Sequence, residues 1–149
     1  MIVPLDTVIY NPKARGVWCR TPYPRHKEGC PNFPKCIQER PSFSDIAPIY
    51  RWYAVIHTFY LKFHSITMKK KHPEWTDRQC RNPLYWQGKV RKLLREEAEH
   101  FSFVSSGSII LDIPEACGVE VFETMALIGI YLEQTPDIVR KVMLVGVVR

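Results

Sequence analysis

Nineteen residues near the N-terminus, Trp18 to Cys36, do most to limit what this chain can become. The stretch WCRTPYPRHKEGCPNFPKC holds three of the five cysteines, one histidine and four prolines. Proline fixes φ and removes a backbone donor, so the segment is neither a helix interior nor a central strand. Too few apolar side chains remain to give it a core of its own. It must be a shaped loop held by something else, and thiolates gathered around a soft metal or an iron–sulfur cluster supply that substitute for local packing. The loop predicts a metal centre.

Ten residues separate Cys19 from Cys30, and five separate Cys30 from Cys36. Structural zinc sites usually set paired thiolates about two to four residues apart. The spacing fits neither that rule nor the ferredoxin runs, so it implies a thiolate site and leaves the choice between an iron–sulfur cluster and zinc open. A closed site needs a fourth ligand. Cys80, on a predicted short helix, is the first candidate and Cys117 the second; with neither, one coordination position stays open to water or substrate. The alternative is that these are buried free thiols that simply pack. That alternative applies most to Cys117, beside a predicted apolar helix, and least to the loop cysteines. His26 is a further possible ligand, although a histidine between Arg25 and Lys27 is more often exposed. Arg20, Arg25, Arg78 and Arg81 are candidate substrate- or anion-binding groups, and loop cations would also lower cysteine pKa values.

The remaining sequence argues for one domain. A chain of 149 residues with 46% apolar residues can bury a core, and no Gly/Ser linker divides it. The expected division is a Cys/Pro-rich loop region over about 11–48 and a body over about 49–149. MIVPLDTVIYNPK lacks the basic and apolar regions of a signal peptide, and no apolar run approaches the ~18 residues of a membrane span. The expected location is cytoplasmic, with no membrane partner. Reduced thiols there, and an odd cysteine count, favour ligands over disulfides. A net charge of +6 and a pI near 9.1 permit a nucleic acid or nucleotide partner without demanding one. Much of the excess lies in Arg15 to Lys35 and in Lys69-Lys70-Lys71-His72, and a solvated basic surface explains it more simply than a polyanion contact.

Residues 1–10 read as a short extended segment and RPSFSDIAP as irregular chain. Ile49 to Phe63, dense in aromatic and β-branched residues, predicts a long strand; His57 within it reads as a hydrogen-bonded packing residue before it reads as a base or ligand. His64 to Lys71 is helix-like and stops before Pro73. Thr76 with Gln79 forms a capping box signature, with Trp75 placed as a staple. Leu84, Trp86, Val90, Leu93, Leu94, Ala98 and Phe101 recur at amphipathic-helix spacing. Phe101 to Ile113 suggests a hairpin or a strand entered through a turn, Val119 to Ile128 a helix capped by Gly129, Thr135-Pro136 a helix start, and Val142 to Val148 a strand. Mixed elements without βαβ alternation predict an α+β domain with an antiparallel or mixed sheet and two to four helices.

WCRTPYPRHKEGCPN with its following cysteine, then HPEWTDRQCRNPLYWQGKVRKLL, then PEACGVEVFETMALIGIYLE, together resemble a group of small uncharacterised phage and microbial proteins. That group is similar in turn to predicted metal-binding proteins in which a cysteine-rich loop precedes an α/β body. The resemblance implies a cysteine-bound centre, of iron–sulfur type, at Cys19, Cys30, Cys36 and Cys80, and a host-cell cytoplasm if the chain is phage-encoded. Two functions follow as expectations. One is a [4Fe–4S] protein in redox or sulfur chemistry, served by an electron donor and acting on a nucleotide or nucleic acid. The other is a non-enzymatic module that zinc or a cluster staples, with Trp52, Trp75 and Trp86 near basic groups that bind nucleic acid.

Overall fold

Two strands of eleven residues form the centre of a four-stranded antiparallel sheet. The computed structural model describes residues 1–15, 39–133 and 136–149. Strands β1 (Ile2–Leu5), β2 (Tyr50–Tyr60), β3 (Gly107–Leu111) and β4 (Ile138–Val148) stand in the order β1-β2-β4-β3. β2 and β4 pair over their whole length, from Tyr50 opposite Val148 to Tyr60 opposite Ile138. β2 is rich in aromatic residues and β4 in valine, and both kinds suit a pleated surface packed on two sides.

Helices α1 (Phe43–Ile46), α2 (Leu61–Lys71), α3 (Asp77–Cys80), α4 (Gln87–Val104) and α5 (Val121–Leu127) cover the two faces; α1 and α3 are single turns of four residues. Side chains alternate across a strand, so each face buries its own set. Trp52, Ala54, Ile56 and Leu144 face a core that contains Phe43, Cys117, Val119, Val121 and Met125. Val55, Met143 and Val145 face Leu94 and Ala98 of α4. A smaller cluster of Leu61, Trp86, Val90 and Val139 continues that layer toward the Tyr60 end. The fold is α+β, one small domain with an all-antiparallel sheet.

Several expectations need adjustment. The long strand ends at Tyr60, and α2 begins directly at Leu61 rather than at His64. The ladder runs out there, because Lys62 donates its N–H to the Asp137 carbonyl at 3.1 Å just before β4 starts. α4 runs past Phe101 to Val104, and the chain then turns through Ser106, which has a φ of 55°, into β3. Thr135 lies outside the described residues, but Pro136 and Asp137 lead straight into β4 without a helix. Eleven rungs shared with β2 outweigh a local cap signal. RPSFSDIAP is not irregular throughout, since α1 lies in it and Phe43 packs on Trp52 with ring centroids 4.9 Å apart. β1 joins the sheet through β2, and the amino group of Met1 donates to the Ile56 carbonyl at 2.9 Å. Residues on both sides of positions 16–38 thus belong to one domain. Among the described residues no helix is long and apolar enough to cross a membrane.

Candidate metal centre

The chain on either side of residues 16–38 is fastened at one place. Before that stretch, Asn11 donates its N–H to the Gly118 carbonyl at 2.8 Å, and Ile9 accepts from the Glu120 N–H at 2.8 Å. Tyr10 bridges to Val119, and the Asn11 side-chain amide donates to the Glu120 carboxylate. The Arg15 guanidinium then donates to the carbonyl of Arg40, which joins the two described flanks of residues 16–38 at a neck. Arg40 in turn donates to Asp112 Oδ1 at 2.6 Å, and Arg95 stands 3.7 Å from the other carboxylate oxygen. Both roots therefore sit beside the 3-10 turn Pro114–Cys117 that follows β3.

Cys117 ends that turn. It is 1% exposed and packs in the core with Val119 and Met125. Burial pushes its thiol pKa up; Arg40 and Arg15 pull it down, while Asp112 and Glu115 push it up further. Free thiolate is thus suppressed, and a coordinating cation is the agent that removes such a proton outright. Gly118 must follow, because its φ is +92° and a Cβ there would meet the Tyr10 ring at 2.5 Å.

Cys80 is also a free buried thiol, 1% exposed at the end of α3. Its helix forms as the sequence implied. Thr76 Oγ1 accepts from the Gln79 N–H at 3.3 Å, and Gln79 Oε1 accepts from the Thr76 N–H at 2.7 Å. Trp75, however, stacks on His72, with ring centroids 4.0 Å apart and planes 10° apart. Arg81 follows Cys80 and donates to Asp137 Oδ1 at 2.6 Å, which holds that carboxyl below its ordinary pKa. This fixes α3 at the Tyr60 end of the sheet. Asp112 follows the rung of Leu111, Leu144 and Ala54, whereas Asp137 precedes the rung of Ile138 and Tyr60. About six residue steps of strand, roughly 20 Å, separate the two levels.

Cys19, Cys30, Cys36, Arg20, Arg25 and His26 lie outside the described residues. Arg78 is exposed near Cys80, so Arg78 and Arg81 belong to the Tyr60 end and not to the neck. Among the described residues no group of three or more His, Cys, Asp and Glu is placed to hold a metal ion. His57 Nδ1 pairs with Glu97 Oε1 at 2.9 Å, as a packing residue does. Trp52 and Trp86 are buried, and Trp86 stacks on Phe59, so neither is open for base stacking. Arg40 and Asp112, the pair that ties residue 40 to the body, are 72 positions apart, and no sequence signal pointed to either.

The neck titrates. Burial raises the Asp112 pKa, but the Arg40 hydrogen bond, followed by the charges of Arg40 and Arg95, outweighs it and holds the carboxyl below its ordinary value. A carboxylate depressed in the fold contributes stability that is present above its unfolded pKa of about 4 and is lost as pH falls through the folded value. Asp112→Asn should therefore be less stable than wild type at pH near 7, with the difference shrinking below about pH 4. Urea midpoints at several pH values check this, and a constant difference would contradict it.

No protein family, curated protein or solved structure matches the chain.

Proposed function

We propose that the chain is a thiolate metal-centre protein. In this reading Cys19, Cys30, Cys36 and one body cysteine hold an iron–sulfur cluster of the [4Fe–4S] type, and the protein serves redox or sulfur chemistry on an anionic substrate such as a nucleotide. The observation that carries the proposal is the neck: both ends of the loop that holds three cysteines are fastened beside Cys117. A loop that only had to cover the surface would not need such anchoring at a buried thiol.

Chain length then discriminates between the two body cysteines. Cys19 stands four residues after Arg15, and Cys36 four before Arg40. An extended chain reaches at most about 14 Å in that number of residues. A centre that takes both thiolates is thus tethered to the neck, where Cys117 lies, whereas Cys80 precedes Arg81 at the Asp137 level, about six residue steps of strand, roughly 20 Å, from the Asp112 level of the neck. The reach favours Cys117 as the fourth ligand over Cys80. Arg15 and Arg40 would offset the negative charge of the thiolates there, with Arg20 and Arg25 in the same loop sequence adding to them.

A second reading rests on Lys70, Lys71 and Arg78, which are exposed where α2 and α3 pack together. There the metal is only a staple, and the basic surface contacts nucleic acid. Purification without air, followed by iron and acid-labile sulfide analysis and a visible spectrum, separates the two. Iron with sulfide and a broad absorbance that bleaches on reduction is the expected result. Colourless protein that holds zinc and binds nucleic acid in a salt-dependent way would replace the first reading with the second, and protein with no metal would remove both.

A further inference from the structure

β3 covers only part of β4. It pairs with residues 144–147, whereas β2 pairs with β4 down to Ile138. The odd-numbered residues of β4 point their backbone groups at β2, as Arg149 shows by donating its N–H to the Ile49 carbonyl and Asp137 by accepting from Lys62. By strand alternation, Ile138, Arg140 and Val142 turn their N–H and C=O groups to the other side. No described residue bonds them there.

A groove of about 950 Å³ runs along this open half-edge. Its two walls differ in chemistry. On the α4 side stand Arg91 and Lys141, which have no ion pair or hydrogen bond among the described residues, with Glu115 between the turn and the strand. Burial lowers the Lys141 pKa and Arg91 lowers it further, while Glu115 raises it, so two cations crowd together with one acid near them. On the opposite side Val121, Phe122 and Leu132 line the groove, continuous with the Ala54 and Leu144 core.

We propose that this edge binds an extended segment of a partner protein whose acidic and apolar residues alternate, adding it as a fifth strand. Successive side chains of an added strand point to opposite faces. One face would set acids against Arg91 and Lys141, and the other would set apolar groups against Val121, Phe122 and Leu132. The outward N–H and C=O groups of Arg140 and Val142 supply the main-chain bonds. A second copy of this chain fits poorly in the same place. Pairing β4 with itself would bring Arg140 and Lys141 of the two copies together, and like charges across strands destabilise.

The test uses the full chain and a fluorescein-labelled six-residue peptide of alternating glutamate and valine, followed by anisotropy. Saturable binding is expected, with none for the matching peptide of alternating lysine and valine. Proline at an edge position removes one outward N–H without touching the inner ladder. Arg140→Pro should therefore weaken binding about tenfold beyond Arg140→Ala, which keeps that N–H. Lys141→Glu should weaken it about tenfold through charge. If Arg140→Pro does not fold, the same peptide with N-methylated amides replaces it and should bind at least about tenfold less tightly than the unmethylated peptide. No binding of the acidic peptide, equal binding of the lysine peptide, or indifference to both proline and N-methylation would overturn the proposal. So would self-association that Arg140→Pro abolishes, which would assign the edge to a second copy.

Discussion

On the metal-centre proposal, Cys117→Ser should strip the centre, and Cys80→Ser should leave it in place. Both thiols are buried to the same degree, so burial does not distinguish them. Position does. Cys117 sits where Arg15 and Arg40 bring the loop roots together, and Cys80 sits beyond the far end of β2, next to the pairing of Arg81 with Asp137. Putting a hydroxyl into either apolar site should lower stability by about 1–3 kcal/mol whatever the metal does. Alanine at each position controls for that effect, since it removes the ligand without adding a polar group. The expected result is loss of iron and sulfide from Cys117→Ser and Cys117→Ala under conditions where both remain folded. Cys80→Ser and Cys80→Ala should keep a full complement at reduced stability. The reverse pattern would return the fourth ligand to Cys80, and retention in all four would mean that the loop cysteines close the site or leave a position open to solvent.

Gly118→Ala should lower stability more than Gly129→Ala, the other glycine with a left-handed backbone. The backbone there has a φ of +92°, a conformation that costs an L-residue about 1–2 kcal/mol. The new Cβ would also lie 2.5 Å from one atom of the Tyr10 ring and 3.0 Å from the next, so the ring must move. Moving it disturbs the Tyr10 hydroxyl, which shares a 3.1 Å hydrogen bond with Ser42, and the neighbouring bond from Asn11 to the Gly118 carbonyl. The two effects together predict a loss of about 2–4 kcal/mol. Gly129 provides the comparison, because its φ is +77° but nothing lies within 4 Å of an added Cβ. Gly129→Ala should lose only about 1–2 kcal/mol. Equal urea midpoints for the two variants would show that the Tyr10 contact is not restrictive. Because Gly118 adjoins Cys117, the first variant should also weaken metal retention, and Gly129→Ala should not.

The parts of the fold that could be read from sequence are those with a local cause. Val90, Leu94 and Ala98 fall on one face of α4 at helical spacing, and all three are buried. Thr76 and Gln79 cap each other within three residues, and Gly129 adopts its left-handed conformation just after α5. The strand character of β2 was equally plain, because its composition suits nothing else. What escaped was set by partners distant in the chain. Whether Leu61 continues a strand or opens a helix depends on where β4 begins, some 77 residues later. Pro136 looks like a helix start until β2 claims the chain from Asp137 onward. The neck follows the same rule, since nothing near Arg40 announces Asp112, and no spacing tells that Gly118 and Asn11 meet. The sequence put Cys80 ahead of Cys117 as the fourth ligand; which of the two stands within reach is a question of distance in space, and only the register of the sheet speaks to it.

The most direct measurement is X-ray absorption at the metal edge of anaerobically purified wild type, Cys117→Ser and Cys80→Ser. A thiolate centre at the neck predicts a sulfur shell at about 2.3 Å in wild type and in Cys80→Ser. In Cys117→Ser one sulfur should give way to a lighter ligand, or the metal should be absent. A shell of nitrogen and oxygen alone in wild type, or a sulfur shell that changes with Cys80 and not with Cys117, would contradict the account.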